Sequence, residues 1–250
     1  MVLSQIQVGQ HWTAHLFGMA LYLDTVVSSL VAFSLVLAAG LYLRHRVTSG
    51  VPGLFQTFIE VVWETVTDYV NRMIGPFASW AVPLCTVLFF YILVSNWLEL
   101  LPTGDRLTSA TSDVNDTAAL AVIVIFMVHL TSIRQRGFGG YLKINYLHPA
   151  GLPKLAYLFL APINVIAQIS YPISLTLRLF GNIFAAALML QIIAILPIYM
   201  GWLLNGVWKL FEGIFVDVIQ AFIFALLTVI YLSMATMEHE PELATEPAPG

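Results

Sequence analysis

Five stretches of this chain are apolar for long enough to cross a bilayer as helices, and that restricts the fold to an all-α integral membrane protein. A spanning helix needs about 20 predominantly apolar residues. Inside lipid, each backbone N–H and C=O must find its partner within the segment. The stretches are 23–43, 79–101, 117–133, 155–196 and 202–237, and only Asp24 interrupts the first, near its start. Hydrophobic residues make up 59% of the chain and charged residues 10%, against about 25% charged in a soluble domain. Mean hydropathy is +0.86. A net charge of −4 without a basic cluster excludes a nucleic-acid binder. The single cysteine, Cys85, excludes an internal disulfide and a cysteine-based metal site, and it is expected to be buried and inert. Residues 1–22 lack a basic start and a small-residue cleavage site, so the first span is expected to be retained.

Five crossings put the termini on opposite sides of one membrane domain, 1–250. Arg44, Arg46 and Arg72 follow the first span, and Arg134, Arg136, Lys143 and Lys154 follow the third. Arg106 stands alone in the loop on the other side. The positive-inside rule places the larger group in the cytoplasm, so segment 1–22 is expected outside and the C-terminus inside. The tail 238–250 is rich in Pro and Glu, which predicts disorder.

Residues 52–74 form a different pattern. Glu60, Glu64, Asp68 and Arg72 recur every four residues, opposite Phe55, Ile59, Val62, Val66 and Tyr69. This predicts an amphipathic helix at the cytoplasmic surface. Its stripe is mainly acidic, so packing on protein and binding to lipid headgroups both stay open. Stretch 155–196 would be a helix roughly 63 Å long, about twice the thickness of the hydrocarbon core. No Gly/Asn/Asp turn cluster interrupts it or the fifth stretch. Two long, strongly tilted helices are therefore expected rather than hairpins, with Pro162 and Pro172 bending the first.

Between Lys154 and Lys209 the only formal charge is Arg178. A central Arg costs about 2.5–3.5 kcal/mol on the insertion scale, so it marks function and needs a partner. That partner could be Asp217 or Glu212 on the fifth span, or an acid on another chain. Ser170, Ser174, Arg178 and Asn182 share a helical face, with Asn164 and Gln168 toward the cytoplasmic end. The serines can equally bond carbonyls of their own helix, and Asn182 and Gln220 can serve as inter-helix glue. His129 is expected to be packed or close to a loop. Arg keeps its proton, so Arg178 is no carrier. It can hold a passing carboxylate ionised and block a direct leak between two aqueous paths. Acids gather on the outer side: Asp113, Asp116, Glu212 and Asp217. The chain has no metal-spaced His cluster, phosphate loop or nucleophile elbow.

The run Pro172-Ile-Ser-Leu-Thr-Leu-Arg-Leu-Phe-Gly-Asn182 closely resembles subunit a of F-type ATP synthases. Gln220-Ala-Phe-Ile-Phe-Ala-Leu-Leu-Thr-Val-Ile-Tyr231 is similar to that family's last helix. Weaker matches lie at Val8–His11, Ser95–Trp97 with Leu101-Pro102, and Ser112–Asn115. The resemblance implies a non-catalytic, cofactor-free stator subunit in the bacterial plasma (inner) membrane. It would sit beside a rotating ring of c subunits, with the b subunit stalk and the rest of the F1Fo complex as partners. It maps the essential arginine to Arg178, and other functional positions to Asn182, Gln220 and Asp113. Many members carry a glutamate five residues beyond that asparagine, where this chain has Ala187, and the frequent partner position is Gly213. In this respect the chain is similar to actinobacterial members. Glu212 and Asp217 are the candidates to replace the missing acid. Protons would then pass Asp113, Asp217 and Glu212 from outside, load a ring carboxylate, and leave inward near Arg178 by way of Ser174 and Gln168. A self-contained channel or transporter, and a membrane scaffold, are the alternatives.

Overall fold

The computed structural model describes residues 13–16, 19–47, 50–75, 78–100, 109–142 and 154–236. The acidic tail, Arg106, Lys143 and the Val8–His11 match lie outside them. The described chain is dominated by helices, five of them long and apolar enough to cross a membrane. An unexpected element comes first, an antiparallel pair of short strands, β1 (Thr13–Leu16) and β2 (Met19–Tyr22), with Thr13 opposite Tyr22.

The helices are α1 (Leu23–Arg46), α2 (Leu54–Met73), α3 (Ala81–Leu100), α4 (Val114–Leu142), α5 (Lys154–Ala194), α6 (Ile198–Phe211) and α7 (Asp217–Thr236). A 3-10 turn, Ala110–Ser112, leads into α4. A π-helical turn, Glu212–Val216, joins α6 to α7 without a break. Neither long stretch folds back within itself. α5 is one helix despite Pro162 and Pro172. The chain turns back only after it, where Pro197 caps α6 and accepts the amides of Met200 and Gly201 at 2.9 Å.

α4 runs past the apolar stretch that predicts it. Gly137 breaks its geometry with φ +70°, a left-handed conformation that glycine adopts without a side-chain clash. The residues beyond it turn back onto the helix, and the Tyr141 hydroxyl meets His129 Nδ1 at 3.0 Å. His129 is a packed residue tied to that bend.

α3 is the central element and packs most extensively on α7. Leu88, Phe89, Ile92 and Leu93 of α3 meet Ala121 and Val124 of α4, Leu175 and Leu179 of α5, and Ala221, Phe224 and Ala225 of α7. Lipid tails are as apolar as leucine, so helices here gain little from leaving their solvent. Close packing carries the association, and the alanines let the backbones approach. A second cluster joins Val66 and Val70 of α2 to Val82, Cys85, Val229 and Leu232. α2 therefore rests on protein along that face, while Glu64, Asp68 and Arg72 stay exposed. Cys85 is fully buried. By contrast, α1 buries only Thr25, Ser28 and Ala32, and α6 buries nothing.

Candidate functional site

The charge comes from α5. Leu175, Leu179, Ile183 and Ala186 recur at three- and four-residue spacing and form its buried face. Arg178 lies on the flank of that face, exposed together with Ser170, Ser174 and Ala185. Gln168 and Asn182 are half-buried. Isoleucine and leucine side chains surround the stripe, including the exposed Ile173 and Leu177. Among the described residues, Arg178 has no carboxylate within ion-pair distance, so neither Asp217 nor Glu212 is its salt-bridge partner. The Tyr231 ring of α7 lies 4.9 Å from that of Tyr171 on α5.

The serines of the stripe are partly self-satisfied. Ser170 Oγ donates to the Ile166 carbonyl at 2.8 Å. Pro172 has no N–H to offer the Gln168 carbonyl four residues earlier.

The acids lie elsewhere. Glu212 and Asp217 are buried, and with Glu99, Lys209 and Asn96 they line one small cavity with room for about one water. Ile183 and Leu190 of α5 complete its wall. Asn96 is the hub. Its Nδ2 donates to Asp217 Oδ1 at 3.3 Å. Its Oδ1 accepts from Ser109 Oγ at 3.3 Å and from Thr111 Oγ1. Ser109 and Thr111 are 2.7 Å apart. All four residues are at least nine-tenths buried. A continuous polar chain thus runs from Asp217 to the turn that precedes α4.

That turn carries Asp113, but Asp113 does not face the cavity. Its Oδ1 accepts the Asn115 amide at 2.8 Å, which is N-capping of α4. Its Oδ2 accepts from Thr25 Oγ1 of α1 at 3.3 Å. One turn further, Asp116 accepts from Ser29 at 2.9 Å. Both acids therefore bind α1 to the bundle. Gln220 is buried with an unpartnered Nε2. Among the described residues no group of three or more His, Cys, Asp or Glu side chains is placed to hold a metal ion.

The sequence analysis did not single out Glu99, Asn96 or Lys209 as site residues. Glu99 carried a signal, being an acid within an apolar span. Asn96 lay inside a weak resemblance, and its role depends on α3, α7 and the turn before α4 meeting.

These features define a multi-pass membrane protein with an intramembrane cation on one open helix flank, without a carboxylate partner among the described residues, and a buried acid-lined polar chain beside it. The family model described as ATP synthase A chain matches residues 25–233. ATP synthase subunit a of Mycobacterium bovis is 43% identical over 250 residues, 96% of each chain. That of Acidothermus cellulolyticus is 40% identical over 235 residues, 93% of this chain and 83% of the relative. ATP synthase subunit a 2 of Vibrio campbellii is 34% identical over 95% of this chain and 94% of the relative. This chain belongs to the ATP synthase A chain family. Membership places it in the membrane sector of an ion-transporting ATP synthase.

Proposed function

We propose that this chain is the stator of a proton-driven rotary motor, with two offset half-channels separated by Arg178. The observation that carries this is an intramembrane guanidinium on an exposed apolar flank, with no carboxylate partner among the described residues. Such a charge needs an acid from outside the chain. A ring of c subunits, each with a membrane-embedded carboxylate, supplies one.

The outer half-channel runs past Asp113 and the Asn96 chain to Asp217 and Glu212. Asn182 and Gln220 lie between this route and the ring. The inner half-channel follows Ser174 and Gln168 toward the cytoplasm. Arg178 holds the passing ring carboxylate ionised and blocks direct proton transfer between the routes. At 100 mV each proton carries about 2.3 kcal/mol, so several must pass for each ATP. The chain performs no catalysis of its own and works with the c ring, the b stalk and the rest of the F1Fo complex. It lies in the bacterial plasma (inner) membrane, N-terminus outside and C-terminus cytoplasmic.

The test is ATP-driven acidification of inverted membrane vesicles, comparing wild type with Arg178→Ala in a complex shown to assemble. Acidification should disappear in the variant. Retained pumping would reduce Arg178 to a structural charge.

A further inference from the structure

Glu212 and Asp217 are five residues apart. In an α-helix, at 100° per residue, they would point about 140° apart. Both nevertheless line one cavity. The π-helical turn reconciles the two facts. The Asp217 amide bonds the Glu212 carbonyl, the i→i+5 closure that stacks residues five apart on one side.

α3 braces this turn at two points. The Trp97 indole N–H donates to the Gly213 carbonyl at 2.8 Å, satisfying a backbone acceptor of the widened turn. Three residues further along α3, Leu100 presses against Gly213 so closely that a Cβ there would collide with Leu100 Cδ1. Gly213 leaves that space to the Leu100 side chain.

We propose that Trp97 and Gly213 are positioning residues that hold the π-helical turn and thereby keep Glu212 on the same cavity as Asp217. This rests on the reading that these two acids serve the outer half-channel. Two length changes at the turn separate the effects. Deleting Ile214, an exposed residue, leaves the acids four apart in a continuous α-helix, still on one face. Inserting an alanine after Ile214 leaves them six apart, on no common face in either helix type.

The experiment measures ATP-driven acidification per assembled complex for these two variants and for Trp97→Phe, each with and without Glu212→Gln. The deletion should keep at least half of wild-type pumping, and Glu212→Gln should lower it by the same factor as in wild type. The insertion should lower pumping about tenfold, with no further loss from Glu212→Gln. Trp97→Phe removes the N–H and keeps the ring. It should cost about fivefold, the scale of one hydrogen bond, and it decides the matter if the insertion does not assemble. A dead deletion, an active insertion or a silent Trp97→Phe would overturn the register argument while leaving the half-channel intact. A silent Glu212→Gln in wild type would instead remove the half-channel reading, and this inference with it.

Discussion

Replacing Asn96 with leucine tests the polar chain at its hub. The two side chains are of similar size, so the core around position 96 stays filled while three hydrogen bonds vanish: one to Asp217, one from Ser109 and one from Thr111. Once Asn96 is gone, one freed hydroxyl proton can join Ser109 to Thr111, which lie 2.7 Å apart, so the net loss is two bonds. Inter-helix hydrogen bonds in membrane proteins average about 0.6 kcal/mol, so the variant loses about 1.2 kcal/mol. Asp217 cannot be rescued in this way, because Asn96 is the hydrogen-bond donor the structure gives it. If the same 1.2 kcal/mol is added to the barrier for proton passage, flux falls about eightfold. The assay is acidification of inverted vesicles, normalised to assembled complex. Ile92→Ala is the control. Ile92 lies one turn before Asn96 and is fully buried, so its truncation costs about 2–5 kcal/mol of packing and leaves the polar chain intact. Wild-type flux in Asn96→Leu, or an equal loss per complex in Ile92→Ala, would refute the reasoning.

Asp113→Asn should preserve the cap on α4, since Asn caps as well as Asp, whereas Asp113→Ala should lose about 1 kcal/mol in detergent unfolding. Reduced pumping in the stable Asn variant would isolate the carboxylate's part in proton uptake. Gly137→Ala should destabilise by roughly 1–3 kcal/mol, because φ +70° with ψ 163° lies in a region essentially restricted to glycine; the unfolding midpoint measures it. Cys85, fully buried, should resist a maleimide in the folded complex and react after denaturation. Arg72→Ala should change stability by less than about 0.5 kcal/mol. Its 3.8 Å pair with Asp68 has both side chains more than two-thirds exposed.

The spans were legible because bilayer thickness demands a run of about 20 predominantly apolar residues from each of them. The helical turn-back at the end of α4 was not, since Gly137 acts through a single backbone angle that leaves no mark on hydropathy. Arg178 was legible for the reason it is costly, being a lone charge in a long apolar run. The acid cavity was only half legible. Glu212 and Asp217 stood out as intramembrane acids, but five residues along an α-helix turn two side chains about 140° apart. Only the π-helical turn reverses that argument, and its determinants include Trp97 and Leu100 on another helix. Asp113 shows the opposite limit. An acid before a helix is equally a cap and a proton site, and its hydrogen bonds to Asn115 and Thr25 show that it already has structural work.

On the proposed reading, the positions along α5 suit two routes with one arginine between them. The cavity touches α5 at Ile183 and Leu190, roughly 8 and 18 Å beyond Arg178 at the helical rise. The neutral polar groups Ser174, Ser170 and Gln168 run the other way, to roughly 15 Å before it. The routes also differ in azimuth. Ile183 lies on the buried face of α5, whereas Ser170 and Ser174 are exposed on its flank. A proton leaving the acid cavity therefore faces both an axial gap and a turn around the helix, with a fixed positive charge between them. Crossing that gap inside this chain would mean passing the guanidinium without a carrier. A carboxylate that arrives from outside, meets the cavity side, travels away and returns on the serine side would avoid the barrier, which is the movement the proposed ring would make.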